Sequence, residues 1–308
     1  MTLGYDGSLF ILAFDHRGSF QKTFFGVEGT PSVEEAAKII DAKTVIYEGL
    51  LHALVAGVDK RSAGVLVDEQ FGAEIAHRAQ AESLIVAMPV EKSGQNEFDF
   101  EYGEAFGEHI ETFSPAFSKV LVRFNPEGDG AMNARQAQHL RRLSEWLRHR
   151  DRKFLFELLV PAEPQQLESL GGDEVKYETE VRPDLMRVAI AQLQESGVEP
   201  DVWKIEGIDA REDCEAIAAQ CRTAGRDHVA CIVLGRGADT AAVEHWLQVA
   251  SGVPGYQGFA IGRSIWWDPL KAYVDGSLAR DAAATKIGDT YKRFIEVYSG
   301  SPGSGGES

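Results

Sequence analysis

The sequence predicts an α/β fold, a single-domain (β/α)8 barrel of the TIM type, and three observations lead to this class. Eight short runs rich in Val, Ile, Leu and Phe recur along the 308 residues, each followed by polar or Gly residues and then by a helical pattern. The runs are apolar throughout, which is typical of parallel strands buried on both faces. No GxGxxG motif follows the first run, so the main alternative, an open doubly wound sheet that binds a dinucleotide, loses its best evidence.

The eight predicted strands are spread over nearly the whole chain. Eight strand-helix units in about 290 residues match the size of one barrel. The predicted strands cover residues 9–14, 64–67, 84–88, 119–124, 153–158, 201–205, 229–234 and 258–261.

Helical patterns lie between and after these strands, and they complete one predicted domain over residues 1–298. The remaining segment, 299–308, has the sequence SGSPGSGGES, whose small, polar, Gly-rich composition predicts a disordered tail. The predicted helices cover residues 33–55, 73–81, 102–113, 134–150, 183–194, 211–223, 241–250, 270–275 and 280–298.

The composition argues against two classes of partner. Lys and Arg total 31 and Asp and Glu total 48, so the net charge of −17 opposes binding to nucleic acid or to an anionic membrane surface. No run approaches the roughly 20 apolar residues of a membrane span, and no secretory signal pattern opens the chain. The cysteines, Cys214, Cys221 and Cys231, form no CxxC pair and no zinc-ligand pattern. We therefore predict packed thiols, not zinc ligands, in a cytoplasmic protein, and we expect no cofactor.

Reactive residues cluster at the ends of the predicted strands. In a barrel the loops that follow the strands form one rim around a common cavity, so such residues are expected to meet there. They lie within the eight runs or directly follow them, in this order: Asp15, His16 and Arg17; Asp68 and Glu69; Glu91 and Lys92; Lys119, Arg123 and Asn125; Glu157; Lys204 and Glu206; Gly235, Arg236 and Gly237; Gly262, Arg263 and Ser264.

Lys204 carries the strongest functional signal, because it lies in the apolar run VWKI. Desolvation and a second nearby cation, here Lys119, destabilise a buried ammonium, and the free amine is a nucleophile that forms Schiff bases with carbonyl carbon. A lysine that is ion-paired with Glu157 or Glu206 is an equally simple interpretation. From spacing alone, both interpretations stand.

Glu157 lies one strand before Lys204, in LFELL, and adjacent strand ends of a barrel are within side-chain reach of each other. Its carboxylate is a candidate for proton transfer during carbinolamine dehydration and carbon–carbon cleavage. A buried counter-ion for Lys204 or Lys119 is the alternative, and the two roles are compatible. Glu206 lies two residues after Lys204, hence on the same side of the strand, and is the second candidate for proton transfer.

Two Gly-Arg motifs predict a phosphate site. LGRG places Gly235 and Arg236 after the seventh strand, and IGRS places Gly262 and Arg263 after the eighth. Glycine lets backbone amides approach an anion, arginine supplies a planar fork of donors, and the loops after strands seven and eight are the usual phosphate site of barrels. Either motif alone is also compatible with an ordinary turn.

Asp15, Arg17 and Asp68 are the remaining candidates for substrate binding. Asp15 follows a fully apolar run, which predicts a carboxylate that holds substrate hydroxyls or the imine nitrogen, while Arg17 is placed to meet a carboxylate or a second anionic group. Asp68 fits similar orienting work. Capping of the following loop or helix is the alternative for both carboxylates, and it is favoured for Asp68.

Five segments that contain these residues carry a family resemblance. LFILAFDHRGSF, VLVDEQFG, FLFELLVP, PDVWKIEG and GFAIGRSIWWDPLKAYVDG follow one another over almost the whole chain. They resemble class I aldolases, a group that includes tagatose-1,6-bisphosphate aldolase and sulfofructosephosphate aldolase. They are more similar still to the 2-deoxy-5-keto-gluconate-6-phosphate aldolase domain of bifunctional inositol-catabolism kinases, with GFAIGRSIW and LAFDHR as the most specific segments.

The resemblance implies a (β/α)8 barrel and retro-aldol cleavage through an imine, without a metal. The chain departs from the bifunctional arrangement, since no kinase domain precedes residue 9, and the substrate is therefore less firmly predicted than the chemistry. The roles that it implies are the Schiff-base lysine for Lys204, the proton-transferring glutamate for Glu157, the supporting lysine for Lys119, the first-strand carboxylate for Asp15 and the phosphate-binding arginine for Arg263.

The expected substrate is a small-molecule phosphorylated keto sugar, above all 2-deoxy-5-keto-gluconate 6-phosphate, cleaved to dihydroxyacetone phosphate and malonate semialdehyde. Tagatose 1,6-bisphosphate and sulfofructose phosphate are the alternative substrates. Two alternative functions remain: a non-catalytic barrel that binds sugar phosphates, and an enzyme that uses a divalent ion to stabilise an enolate. In the last case Asp68, Glu157 and Glu206 would be the ligands. Trp266, Trp267 and Tyr273 fit either a homo-oligomer interface or a cap over the barrel.

Overall fold

The apolar runs form parallel strands that close into a barrel in the order β1 to β8, with β8 paired to β1. The computed structural model describes residues 2–300. The predicted (β/α)8 barrel and all eight predicted strands are confirmed, and their bounds shift by only one or two residues. The strands are β1 (Leu9–Ala13), β2 (Ala63–Leu66), β3 (Ile85–Pro89), β4 (Phe117–Arg123), β5 (Lys153–Leu159), β6 (Val202–Glu206), β7 (Ala230–Leu234) and β8 (Tyr256–Ile261).

Helices follow the strands and cover the outside of the barrel, and all the predicted helical segments are found. A short 3₁₀ turn, Gly103–Ala105, precedes α4, and a π-helical turn, Tyr177–Val181, precedes α8. The helices are α1 (Gly18–Phe25), α2 (Val33–Val55), α3 (Glu69–Ala81), α4 (Phe106–Phe113), α5 (Gly130–His149), α6 (Pro164–Ser169), α7 (Glu174–Lys176), α8 (Arg182–Glu195), α9 (Arg211–Cys221), α10 (Thr240–Ala250), α11 (Arg263–Val274) and α12 (Arg280–Tyr298).

The helices differ from the sequence prediction in two informative places. Helix α1 was not predicted, because it opens with Gly18, a weak helix former, and no side-chain cap marks its start. Helix α11 begins at Arg263, not at residue 270. Pro269 lies inside α11, and an internal proline normally argues against a helix. The N-terminus of α11 therefore lies directly after β8, at the predicted phosphate site.

Alternation along the strands separates an apolar barrel interior from a polar upper layer. Phe117, Leu155 and Val202 belong to the apolar cluster inside the barrel, whereas the opposite faces of the strands pack against the helices. Side chains two residues apart on a strand point to the same side. The inward-facing residues of the next layer on β4, β5 and β6 are Lys119, Glu157 and Lys204.

The N-terminal segment closes the opposite end of the barrel. Lys153 Nζ donates to the carbonyl oxygens of Thr2 at 2.8 Å and Gly4 at 2.7 Å. Asp201 Oδ1 accepts from the Gly4 amide at 2.8 Å and from Lys153 Nζ at 2.8 Å. These two charged residues at the beginnings of strands therefore fix the start of the chain and lie away from the strand ends that carry the chemistry.

The remaining sequence expectations concern the cysteines, membrane spans and the tail. All three cysteines are buried and free, and burial holds the pKa of the Cys221 thiol well above its usual range. Between residues 2 and 300, no helix combines the length and the apolarity needed to cross a bilayer. Of the predicted tail, residues 301–308 lie outside the described residues, and Ser299 is the C-cap of α12.

Candidate active site

A cavity of about 650 Å³ opens at the C-terminal ends of the strands. This volume is in the range of small-molecule sites. Nine of the ten predicted site residues line it, and Asp68 does not: the nine are Asp15, Arg17, Lys119, Glu157, Lys204, Gly235, Arg236, Gly262 and Arg263.

A buried line of alternating acids and bases crosses the cavity floor. Lys204 Nζ lies 3.0 Å from Glu157 Oε2, and the same oxygen lies 3.0 Å from Lys119 Nζ. Lys119 Nζ also contacts Asp15 Oδ2 at 2.9 Å and Glu91 Oε1 at 2.7 Å. Glu91, Lys119, Glu157 and Lys204 follow the strand order from the end of β3 to β6, because neighbouring strands bring inward side chains of similar height together.

Three groups at the centre of this cluster, Asp15, Lys119 and Glu157, have shifted pKa values. Burial alone would raise the pKa of the Asp15 carboxyl, but Lys119, together with His16 and Lys204, holds it well below its usual range. Burial acts in the same way on Glu157, yet Lys119 and Lys204 lower its pKa. Burial would lower the pKa of Lys119, but its carboxylate neighbours raise it well above normal. Lys119 is therefore a permanent cation at neutral pH, and Asp15 and Glu157 are carboxylates.

Glu157, and not Glu206, is in contact with Lys204. Glu206 Oε1 lies 3.0 Å from Arg236 Nε, and Glu206 Oε2 accepts a hydrogen bond from the Val160 amide at 3.0 Å. Burial raises the pKa of Glu206. Of the two carboxyl groups proposed as proton carriers, Glu157 is thus the one placed to serve a group bound to Lys204.

The two Gly-Arg motifs meet on the β7–β8 side of the cavity, where Arg263 is the first residue of α11. Its Nη2 donates to the Arg236 carbonyl at 2.9 Å. Gly237 has a φ of +75°, and a Cβ there would lie 2.7 Å from the Arg263 guanidinium carbon. Amides at a helix N-terminus and a guanidinium together suit an anion.

The two arginines differ in charge balance. Arg236 contacts the carboxylates of Glu178 and Glu206, which neutralise it. Arg263 is exposed and has no carboxylate within 4 Å among residues 2–300. Arg263 is therefore the cation available to a ligand, while Arg236 holds the loop in place.

A second cavity arginine lies on the opposite side. Arg123 ends β4, lines the cavity and donates from Nη1 to the Gln95 carbonyl at 2.9 Å. Within the described part of the chain it too has no carboxylate partner. Strands β4 and β8 are four positions apart in a closed ring of eight. Arg123 at the end of β4 and Arg263 after β8 therefore line opposite sides of the cavity, and β6, which carries Lys204, lies midway between these strands in the ring.

Arg17 lies in the cavity wall but already has partners. Its Nη1 contacts Glu101 Oε2 at 2.7 Å and its Nη2 donates to the Glu91 carbonyl at 2.7 Å. These contacts tie the segment after β3 to the end of β1. A direct contact between Arg17 and substrate stays a prediction.

Asp68 caps a helix, as the alternative interpretation held. Its Oδ2 accepts from the Phe71 amide at 2.8 Å at the start of α3, and its Oδ1 is paired with Lys43 of α2. Lys43 also donates to the Phe14 carbonyl at 2.9 Å. Both side chains of the pair are buried, so the pair fixes α2 and α3 to the end of β1.

We expect Lys43→Met to lower the free energy of unfolding by about 3–5 kcal/mol, because it leaves the buried Asp68 carboxylate without its cation. Urea denaturation measures the change. Lys38→Met is the matched control, since Lys38 is an exposed lysine on the same helix, and we expect it to change stability by less than about 0.5 kcal/mol. Equal effects of the two substitutions would contradict this role of the pair.

The carboxylates proposed as metal ligands are held by different cations. Asp68 is paired with Lys43, Glu157 with two lysines and Glu206 with Arg236. No group of three or more His, Cys, Asp or Glu residues within 2–300 has a geometry that holds a metal ion. The arrangement brings amine and carboxyl groups together, which suits imine and proton-transfer chemistry.

Glu91 is a site residue for which the sequence analysis predicts a position at the end of the third strand but no role. It follows Pro89, the last residue of β3, by two positions, and Ala87 lies inside the barrel. The same period of two that orients Lys119, Glu157 and Lys204 therefore turns Glu91 inward, so strand parity would have identified it.

Comparisons with known proteins give a family and a fold. A family described as "Uncharacterized protein conserved in bacteria (DUF2090)" matches residues 5–301, so the chain belongs to this family. No curated protein sequence matches the chain.

Three similar solved structures share the fold of this chain. The Cgl0159 protein of Corynebacterium glutamicum has a TM-score of 0.59 at 18% identity, over 96% of this chain and 88% of that one. Fructose-bisphosphate aldolase from Plasmodium falciparum, solved with TRAP and an inhibitor, has a TM-score of 0.66 at 13% identity, over 97% and 93%. A Schiff base forming fructose-1,6-bisphosphate aldolase has a TM-score of 0.56 at 14% identity, over 95% and 94%. The fold is thus an aldolase-like (β/α)8 barrel.

Proposed function

We propose that this DUF2090 protein is a class I aldolase that cleaves a phosphorylated keto sugar or keto sugar acid through a Schiff base on Lys204. One observation carries the proposal: the Lys204 amine lies 3.0 Å from Glu157, in a buried cavity that contains a second ammonium, on Lys119. A lysine, a carboxylate and a neighbouring cation at the C-terminal ends of barrel strands are the groups that imine catalysis requires. The fold shared with class I aldolases supports the proposal.

In the first half of the reaction the neutral Lys204 amine attacks the ketone carbon, and the carbinolamine loses water to form an iminium. Glu157 is in contact with the nitrogen and transfers protons in this dehydration. The positive iminium then withdraws electrons from the adjacent carbon and makes carbon–carbon cleavage possible.

In the second half a base removes the proton of the hydroxyl two carbons from the iminium. The carbon–carbon bond breaks and an aldehyde leaves. The electron pair of the broken bond moves into the iminium and forms an enamine on Lys204. Protonation of the enamine and addition of water release the ketone and the free amine. Asp15 is held as a carboxylate by Lys119 and lines the cavity, so it is available to hold substrate hydroxyls.

The positions of the free arginines favour a substrate with an anionic group at each end and the ketone between them. Arg263 offers a phosphate site and Arg123 a second anion site on the opposite side of the cavity. In 2-deoxy-5-keto-gluconate 6-phosphate these groups are a phosphate and a carboxylate, and cleavage yields dihydroxyacetone phosphate and malonate semialdehyde. Tagatose 1,6-bisphosphate and sulfofructose phosphate also carry two anionic groups and remain alternatives.

The test is an aldolase assay coupled to detection of dihydroxyacetone phosphate, run with deoxyketogluconate, tagatose, fructose and sulfofructose phosphates. We expect the fastest cleavage with deoxyketogluconate phosphate, and borohydride added during turnover to attach the ketone fragment to Lys204. Tight binding of these sugars without turnover or adduct would overturn the proposal in favour of a non-catalytic binding barrel.

Two arginine substitutions test the orientation of the substrate, because each should raise the KM for a different one of the two condensation substrates. In the condensation direction we expect Arg263→Met to raise the KM for dihydroxyacetone phosphate about 10- to 100-fold, the loss of a charge-assisted hydrogen bond of about 1.5–3 kcal/mol. Arg123→Met should instead raise the KM for malonate semialdehyde and leave the KM for a neutral aldehyde of similar size unchanged. Equal effects of Arg123→Met on the charged and neutral aldehydes would contradict the second anion site.

A further inference from the structure

The buried charges of the site do not balance when Lys204 is ready to react. A nucleophilic Lys204 is a neutral amine, so Lys119 is then the one ammonium against the carboxyl groups of Asp15, Glu91 and Glu157 that contact it. The side chains of these four groups are no more than 12% exposed. Two uncompensated negative charges in such a site are costly, so one of the three carboxyl groups is expected to hold a proton.

The hydrogen bonds distinguish the three carboxyl groups. Glu157 Oε2 faces the Lys119 ammonium and the Lys204 amine, and Asp15 Oδ2 accepts from Lys119 with His16 next to it. Glu91 uses Oε1 for Lys119, while its Oε2 is buried and has no hydrogen-bond donor among the described residues. An oxygen without a donor disfavours the carboxylate form, so Glu91 is the group that most easily keeps a proton.

The charged groups around Glu91 agree with this assignment. Lys119 from β4, Asp15 from the end of β1 and Arg17 at the start of α1 face it. Burial raises the pKa of Glu91 in spite of Lys119 and Arg17. The pKa values of Asp15 and Glu157 are lowered.

We propose that Glu91 is the proton store of the site: it holds one proton in the resting enzyme and gives it, through Lys119 and Glu157, to the group that forms on Lys204. This inference rests on the proposed function and deepens it. The contacts along the line measure 2.7 Å from Glu91 to Lys119, 3.0 Å from Lys119 to Glu157 and 3.0 Å from Glu157 to Lys204. Each lies within the reach of direct proton transfer.

Protons and charge balance in every step. When the carbinolamine loses its hydroxyl, Lys119 passes a proton to the Glu157 carboxylate and takes the proton of Glu91 in the same step, so Lys119 stays a cation. Glu157 gives the proton that it has received to the hydroxyl oxygen and is a carboxylate again. Water leaves, and a neutral carbinolamine and the neutral acid of Glu91 have become an iminium and a carboxylate. In cleavage the substrate hydroxyl proton returns along the same line to Glu91 as the iminium becomes a neutral enamine. The net charge of the buried cluster is the same in all three states, because each new positive charge on the substrate is matched by a new negative charge on Glu91.

Glu91 acts through Lys119 and does not touch the reacting group itself, so it is a positioning residue. The substitution Glu91→Gln tests its role. Glutamine still accepts a hydrogen bond from Lys119 but cannot store a proton. We expect borohydride-trapped adduct on Lys204 to form about 100-fold more slowly than in the wild type near pH 7, the usual loss on removal of a general acid. The difference in rate between Glu91→Gln and the wild type should become smaller as the pH is lowered, because the acidic solvent then supplies the proton.

A second variant and a control distinguish loss of the proton from a failure of the protein to fold. Glu91→Ala leaves space at the carboxyl position, and added formate should restore at least part of its adduct formation. Glu97→Gln changes a partly exposed glutamate of the same segment, paired with Arg135, and should leave the rate of adduct formation and its pH dependence unchanged.

The outcomes separate this inference from the proposed function. A wild-type protein that forms no adduct on Lys204 rules out both. A wild type that forms the adduct, together with a Glu91→Gln variant of equal rate and equal pH dependence, overturns the proton store alone. Failure of formate to act on Glu91→Ala also counts against it.

Discussion

Lys204→Met is expected to reduce cleavage at least about 10⁴-fold, because removal of a covalent nucleophile leaves only binding and the surrounding charges to act. Methionine keeps most of the side-chain volume, and Glu157 retains Lys119 as its cation, so the barrel should stay folded. The measurements are the rate of dihydroxyacetone phosphate release and the mass of the protein after borohydride reduction with substrate.

Two controls make this result specific. Lys271→Met removes an exposed lysine of α11 and should leave both the rate and the adduct unchanged. Circular dichroism of Lys204→Met should match the wild type. Undiminished cleavage by a folded Lys204→Met protein would refute the Schiff-base mechanism, whatever the substrate.

Lys119→Met is expected to lower the free energy of unfolding by about 3–5 kcal/mol, because it leaves buried carboxyl groups without their shared cation. Those groups are Asp15, Glu91 and Glu157. Activity should fall as well, since Glu157 would then ionise less readily beside Lys204. Urea denaturation of both proteins measures the stability difference.

The pH dependence of this difference has a definite sign. Lys119 depresses the folded-state pKa of Asp15 and Glu157, so its stabilising effect is present above the unfolded pKa of about 4 and is lost as the pH falls through the folded values. The difference in unfolding free energy between wild type and Lys119→Met should therefore be large at pH 7 and smaller at about pH 3, below the unfolded pKa values. Lys22→Met, which breaks an exposed pair with Glu28, should show less than about 1 kcal/mol at either pH. A gap that widens in acid would contradict the cluster.

Much of this site follows from local sequence. Apolar runs predict the strands, and the period of two predicts that Lys119, Glu157 and Lys204 face inward at the rim, because both depend on residues that are close in the chain. Neighbouring strands in a barrel then bring the three together. The fold and the central contact of Lys204 with Glu157 were predictable for this reason.

The partners of the outer residues were not predictable, because they depend on segments far apart in the chain. Arg236 is neutralised by Glu178, which lies 58 positions earlier, while Arg263 in the matching motif stays free. Arg17 is engaged by Glu101, 84 positions later. The sequence shows two equivalent Gly-Arg motifs, and only the folded loops decide which arginine is open to a ligand.

The same strands supply both the apolar interior and the polar layer above it, from residues that are two positions apart in the sequence. Phe117 lies beneath Lys119, Leu155 beneath Glu157 and Val202 beneath Lys204, so each strand supports the barrel at one height and supplies chemistry at the next. Substitutions of cavity residues outside the buried charge cluster, such as Arg123, can thus change which ligand the cavity accepts while the apolar interior stays as it is. A barrel of this kind can keep its fold while exchange of rim side chains changes its substrate preference.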